Sequence, residues 1–114
     1  MYAIKNKVQL IGHLGANPEI KTTPGGKKWA TMRLATNETH RNAKGEKVTE
    51  THWHRVVAWG KLAEIAEKYL QKGKEIAIEG KLVNRSYNDK AGVKKYLCEV
   101  QANELLMLGA KAQQ

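Results

Sequence analysis

Apolar residues recur at every second position through most of this chain, and at every third or fourth position through one short stretch. Residues 7–14 alternate, with Val8, Leu10, Gly12 and Leu14 of one parity and Lys7, Gln9, Ile11 and His13 of the other, the signature of a strand. Gly12 suits a bend or bulge there, and Gly15, Asn17 and Pro18 end the pattern. After a turn at Pro24-Gly25-Gly26, a second strand is predicted over 28–38, with Ala30, Met32 and Leu34 on one side and Trp29, Thr31, Arg33 and Ala35 on the other. A polar loop at 42–45 leads into a third strand over 48–59. There Thr51, Trp53, Arg55, Val57 and Trp59 face one way, and His52, His54, Val56 and Ala58 the other. The period then changes: Leu62, Ile65, Ala66, Tyr69 and Leu70 fall on one face of a helix flanked by Gly60 and Gly73, with Glu64 and Lys68 spaced for an ion pair. A fourth strand over 75–87 points Ile76, Ile78, Gly80 and Leu82 inward and Lys81, Val83, Arg85 and Tyr87 outward. The loop at 88–92 precedes a fifth strand over 95–108.

Three strands, one helix and two strands are the element order of the OB-fold, an all-β five-stranded Greek-key barrel with its helix between the third and fourth strands. Gly12 and Gly80 fit the bends that closing such a barrel requires, although a β-sandwich with a stray helix satisfies the same order. At 114 residues the chain holds one domain, expected over 1–110 with a short C-terminal remnant at 111–114. With 41% of residues hydrophobic and 27% charged, there is apolar material for a modest core and no case for disorder. No apolar run approaches the roughly 20 residues of a membrane helix, and no signal-peptide core opens the chain, so a soluble, unsecreted protein is expected. The single cysteine, Cys98, cannot form an internal disulfide, which fits a reducing compartment.

Charge changes the picture more. Lys and Arg total 20 against 11 Asp and Glu, a formal net charge of +9, and a pI near 9.7 lies in the range of polyanion binders. The third strand gives that charge a location. If Val56 and Ala58 pack the barrel, Trp53, Arg55 and Trp59 stand on its outer wall, where bare aromatics are costly unless something covers them. A single-stranded nucleic acid covers them well, since each base stacked on an aromatic ring is worth about 1–3 kcal/mol and cations follow the phosphates. Tyr87, with Arg85 and Lys81 behind it, repeats the combination. The competing reading buries Trp53 and Trp59 in the core or a subunit interface. Trp29 shares the face of Arg33 but lies near a turn, so it either joins the stacking face or caps the barrel.

Catalytic chemistry finds little support. His52 and His54 share a parity and Cys98 is a conceivable third metal ligand, but there is no Cys-x-x-Cys, and hydrogen-bonded structural histidines are the expectation. Asp89 lies in a loop, the glutamates read as scattered solvated charges, and Gly25-Gly26 lacks the rest of a phosphate cradle. No metal, no cofactor and no enzymatic activity are expected.

Several blocks then occur together in one order. They are Asn6-Lys7-Val8, Ile11-Gly12-His13-Leu14-Gly15, Pro18-Glu19, Leu34-Ala35-Thr36, Trp53-His54-Arg55-Val56-Val57, Gly60-Lys61-Leu62-Ala63-Glu64, Tyr69-Leu70, Lys72-Gly73, Ile78-Glu79-Gly80 and Met107-Leu108-Gly109. On these the chain resembles the bacterial single-stranded DNA-binding proteins over residues 6–109. The resemblance implies a homotetramer that wraps single-stranded DNA around its outside. It implies sequence-independent coating of that DNA in replication, recombination and repair, in the bacterial cytoplasm at the nucleoid. Trp53, Trp59 and Tyr87 match the family's stacking aromatics, and His40 stands where a fourth is usual. Arg55, Lys61, Lys72 and Arg85 match phosphate contacts, and Lys81 and Arg33 join them by face. His54 matches a position that supports subunit assembly. Family members usually continue through a linker to an acidic tip that recruits replication and repair proteins. Here the sequence runs out at Ala110-Lys111-Ala112-Gln113-Gln114, so that recruitment is expected only of a longer parent carrying the tip. Two rivals stand beside this reading: an RNA-binding or primosome-type module on the same fold, and a metal-dependent hydrolase built on His52, His54 and Cys98.

Overall fold

Alternation of short aliphatic residues with polar ones builds long strands here, and glycine after an Asn or Asp joins them. In the tightest loops Asn42 Oδ1 accepts the N–H groups of Lys44 and Glu46, and Asp89 Oδ1 accepts those of Ala91 and Val93. Gly45 and Gly92 complete these turns at φ of 80° and 82°, where a Cβ would be strained. The computed structural model describes residues 3–108. A 3₁₀ turn at Ala3–Asn6 precedes β1 (Val8–Leu14), β2 (Glu19–Thr22), β3 (Lys28–Arg41), β4 (Lys47–Trp59), α1 (Lys61–Tyr69), β5 (Glu75–Asn88) and β6 (Lys94–Met107). The C-terminal remnant expected at 111–114 lies outside the described residues.

The strands run in the order β1-β5-β6-β4-β3-β2 and close when β1 also pairs with β3, at His13↔Ala35 and Leu14↔Leu34. All pairs are antiparallel except β4 with β6, which meet at Val56↔Val100 and Val57↔Gln101. This is the expected OB barrel. Besides the 3₁₀ turn, one strand was not foreseen. The short β2 adds to the edge of β3 through Ile20↔Ala30 and Lys21↔Trp29, and its four residues are too few to show a period. It moves the helix to between the fourth and fifth strands in chain order without altering the barrel.

The predicted inward parities hold for most of the core. Leu14, Ala30, Met32, Leu34, Val56, Ala58, Ile76, Ile78, Val100 and Ala102 are buried together, and Ala63, Ala66 and Leu70 of the helical segment close over them. Three strand positions differ, and on the helix Tyr69, of the apolar face, is 60% exposed. His52, of the inward parity, is exposed on the β3–β4 arm opposite Thr36. Val57, expected outward, is 2% exposed. It sits on the central strand, one rung from the indoles of Trp29 and Trp59, and a small side chain beside two large ones loses its water. Leu82, expected inward, is 45% exposed because it stands at the rim, where it lines an outer groove beside Trp53. The Glu64–Lys68 pair also does not form among the described residues. Instead Glu67 reaches Lys28 at 2.7 Å and, through that hydrogen bond first and its charge second, raises the lysine's pKa above the usual value.

Closure depends on two glycines inside strands. A Cβ on Gly12 would collide with the carbonyl of Ala35, and one on Gly80 with the carbonyl of Gln101. Gly80 also marks a bulge, where the register with β6 shifts between Glu79 and Gly80. Because the obstacle is backbone in both cases, Gly80→Ala should destabilise the fold by about 3 kcal/mol or more, the upper end of overpacking costs. Urea denaturation of Gly80→Ala beside Gly25→Ala, whose added methyl meets only a distant Thr23 hydroxyl, checks this.

Candidate nucleic-acid interface

On the outer face of β3 and β4 the register lines up same-facing rungs: Trp29↔Trp59, Thr31↔Val57, Arg33↔Arg55, Ala35↔Trp53 and Asn37↔Thr51. Trp53, 52% exposed, is the most accessible of the three indoles. Its ring has a fixed seat. The Arg33 guanidinium carbon lies 4.9 Å from the ring centroid, and a Cβ on Gly15 would overlap the six-membered ring. Gly15 has no left-handed φ, so the indole and not the backbone demands glycine there.

Arg33 and Arg55 oppose each other directly, an arrangement that repels unless each has a partner elsewhere. Arg33 has Trp53. Arg55 has Glu99, whose side chain is 3% exposed: Nε of Arg55 lies 2.9 Å from one carboxylate oxygen, and Nε of Arg85 lies 2.8 Å from the other. One buried carboxylate thus ties β4, β5 and β6 together. The two arginines expected at phosphates are both paired, yet stay 40% and 56% exposed, and two guanidinium charges over one carboxylate leave the cluster cationic. Trp53, His54, Arg55, Leu82, Cys98, Glu99 and Val100 line a groove of about 210 Å³. An adjoining depression of about 250 Å³ is lined by Arg33, Trp53, His54 and Arg55.

The other expected residues are dispersed around this centre. Trp59 is half-buried and stacks on Trp29, centroids 5.7 Å apart and planes at 22°, so Trp29 belongs to the outer face and does not cap the barrel. Tyr87, 53% exposed, stands near the end of the β5–β6 hairpin. Tyr96, 75% exposed with Lys94 5.8 Å from its ring, joins it on the same hairpin without having been foreseen. His40 is exposed on the β3–β4 arm opposite Val48, and Lys81 is exposed opposite Gln101. Lys61 opens α1, and Lys72 follows it in a turn where its backbone N–H donates to Asn17 Oδ1 at 2.8 Å. Both lysines are exposed, and neither lines the grooves beside Trp53. His54 is half-buried, with Nε2 2.9 Å from the Thr36 hydroxyl.

The metal set His52, His54 and Cys98 is not assembled. Among the described residues His52 instead groups with Glu38 and Glu50, all three exposed, their ligand atoms within 4.8 Å of one another. Glu99 corrects the expectation of scattered solvated glutamates. A signal was present: an acid in a strand between Cys98 and Val100 is out of place unless cations meet it. Gly15 gave none, since a glycine ending a strand reads as a turn.

Two variant sets test this geometry. Arg55→Ala or Arg85→Ala alone leaves Glu99 one partner, whereas the double variant strands a buried carboxylate, a loss of about 3–5 kcal/mol. Denaturation should therefore show the double exceeding the sum of the singles, with Glu99→Gln restoring stability in the double background. Gly15→Ala should shift the tryptophan emission of the folded protein, and the shift should vanish in a Trp53→Phe background.

The grooves, the exposed indole and the cationic rungs have counterparts elsewhere. A model of the Single-strand binding protein family matches residues 5–108. The Single-stranded DNA-binding protein 1 of Chlorobaculum tepidum is 49% identical over 107 residues, covering 93% of this chain and 66% of that protein. Its namesake in Xylella fastidiosa is 46% identical over 107 residues, covering 93% and 79%. Among solved structures, a Plasmodium falciparum SSB complex with ssDNA superimposes with a TM-score of 0.85 at 34% identity, covering 91% of this chain and 95% of the other. A deletion mutant of the single-stranded DNA binding protein from Thermus aquaticus gives 0.83 at 32% identity, covering 97% and 54%. With the family match spanning the whole barrel, and relatives this similar in sequence and in shape, the chain belongs to the single-strand binding protein family.

Proposed function

We propose that this chain binds single-stranded DNA without regard to sequence and without catalysis, coating the strand during replication, recombination and repair. The observation that carries this reading is Trp53, a half-exposed indole held between Gly15 and Arg33 in a groove that also contains Arg55. A ring fixed in advance loses little freedom when a base stacks on it, and every base has a face to offer. The cationic rungs draw the strand in first, and stacking then holds it. The names of the relatives support the same ligand.

The assembly is a homotetramer in this reading. Support comes from the opposite wall, where Ile11, Ala77 and Leu106 lie in register across β1, β5 and β6, with Ile11 60% and Leu106 62% exposed beside a depression of about 400 Å³. An apolar row of this kind suits a second copy of the chain. His54 serves assembly by orienting Thr36 on the strand that closes the barrel. The protein works in the bacterial cytoplasm at the nucleoid. Replication and repair proteins are partners where a longer parent carries an acidic tip.

Anisotropy with labelled oligo(dT) tests the reading. Trp53→Ala in a folded protein should weaken binding by about 1–3 kcal/mol, and log K should fall with log salt by about 0.7 per phosphate neutralised. An unchanged affinity removes Trp53 from the platform, and stronger binding of oligo(U) than of oligo(dT) turns the assignment towards RNA.

A further inference from the structure

Past Ala35 and Trp53, β3 and β4 leave the barrel as a ribbon whose strands pair only with each other among the described residues, as far as Arg41 and Lys47. Two strands without further neighbours hold together weakly in water. On one face of this arm the register sets Glu38 opposite Glu50 and Thr36 opposite His52, which makes His52 the diagonal neighbour of Glu38. The ligand atoms of Glu38, Glu50 and His52 lie within 4.8 Å of one another, and His52 Nε2 is 3.7 Å from Glu38 Oε1. His40, opposite Val48, is the corresponding diagonal neighbour of Glu50. Two acids therefore form one rung, with an imidazole on the diagonal to either side.

Carboxylates set directly opposite each other repel. Where Glu79 opposes Glu104 across β5 and β6, Gln9 donates a hydrogen bond to Glu79 and Lys7 lies 3.3 Å from it, and these contacts lower its pKa below the usual carboxylate value. Glu38 and Glu50 lack such relief. Among the described residues neither is paired with a lysine or arginine, in a chain that has 20 of them. Arg41 and Lys47, at the far end of the ladder, have the other parity.

We propose that Glu38, Glu50 and His52 bind a divalent transition-metal ion of the zinc class, which clips β3 to β4 along the arm. Zinc takes histidine nitrogen and carboxylate oxygen at about 2.0–2.2 Å in a tetrahedron, a geometry that sets neighbouring ligand atoms about 3.4 Å apart. The 3.7 Å between His52 and Glu38 is already close to that spacing. The imidazole distinguishes this set from a patch of acids, because magnesium and calcium take oxygen ligands whereas zinc, cobalt and nickel accept nitrogen. Water or His40 fills the fourth position. One ligand comes from β3 and two from β4, so the ion joins the strands as its charge replaces repulsion within the rung. The site has the parity opposite to Trp53 and requires no nucleic acid.

Calorimetric titration of chelator-stripped protein with Zn²⁺ should show one ion bound per chain, and Co²⁺ in its place should give the visible absorbance of a tetrahedral site, bleached when Zn²⁺ is added. Losing even an outer-shell partner of a metal ligand weakens binding about 10–100-fold, so Glu50→Gln and His52→Gln should each weaken it by at least that much. Both side chains are exposed, so neither change should harm folding, and His13→Gln, which removes an exposed imidazole elsewhere, should bind Zn²⁺ as before. Amide hydrogen exchange along residues 37–50 should slow with Zn²⁺ in the unaltered chain and stay unchanged in His52→Gln. Absence of saturable Zn²⁺ binding, or unaltered affinity in both variants, would overturn the proposal. So would displacement of Zn²⁺ by an equal concentration of Mg²⁺, which would mark an acidic patch without a nitrogen ligand. Zn²⁺ binding that leaves exchange along the arm unchanged would overturn the clip.

Discussion

A five-stranded sheet closes into a barrel only if its first strand bends far enough to pair with two neighbours, and here β1 does so within seven residues. It pairs with β5 from Val8 to His13 and with β3 at His13 and Leu14. The bend brings the Ala35 carbonyl onto the Cα of Gly12, and on the far side the Gln101 carbonyl onto Gly80. No residue with a Cβ fits either approach. The rest of the molecule follows from closure, because a closed barrel has one interior, filled by aliphatic residues and plugged by α1, and forces everything of the other parity onto the outer wall.

That outer wall must then resolve its own conflicts. Two arginines face each other across β3 and β4, and three indoles share the same face. The solution is to give each group a local partner that leaves it half-open: Arg33 on Trp53, Arg55 and Arg85 on Glu99, Trp29 on Trp59. A buried carboxylate is tolerated because it meets two cations at once, one from the strand on either side of β6. These pairings fix rings and guanidinium groups before any ligand arrives. A surface so arranged is ordered where a free one would have to become ordered on binding, and the advantage is entropic.

Much of this was legible, and the reason is the period. Alternation of two marked five of the six strands, and a change to a helical period marked α1, because each element buries one face. The outward position of Trp53 followed from Val56 and Ala58 packing inward, without any knowledge of the partner strands. What depends on partners was not legible. Arg55 and Glu99 are 44 residues apart in sequence, and only the parallel pairing of β4 with β6 brings them together. The Trp29–Trp59 stack likewise needs the β3–β4 register, and the exposure of Leu82 and burial of Val57 depend on neighbours from other strands. The unforeseen β2 is too short to carry a period and takes its order from the edge of β3.

The central claim is that the outer wall of this barrel recognises single-stranded DNA by stacking on preset indoles. Its most direct test is a titration of the intrinsic tryptophan fluorescence with oligo(dT) and with duplex DNA of equal length, each at low and high salt. The account predicts strong quenching by the single strand alone, surviving in part at high salt because stacking does not depend on counterions. Equal, wholly salt-labile binding of both forms with little quenching would contradict it, since the basic surface would then be attracting polyanions without using its aromatic rings.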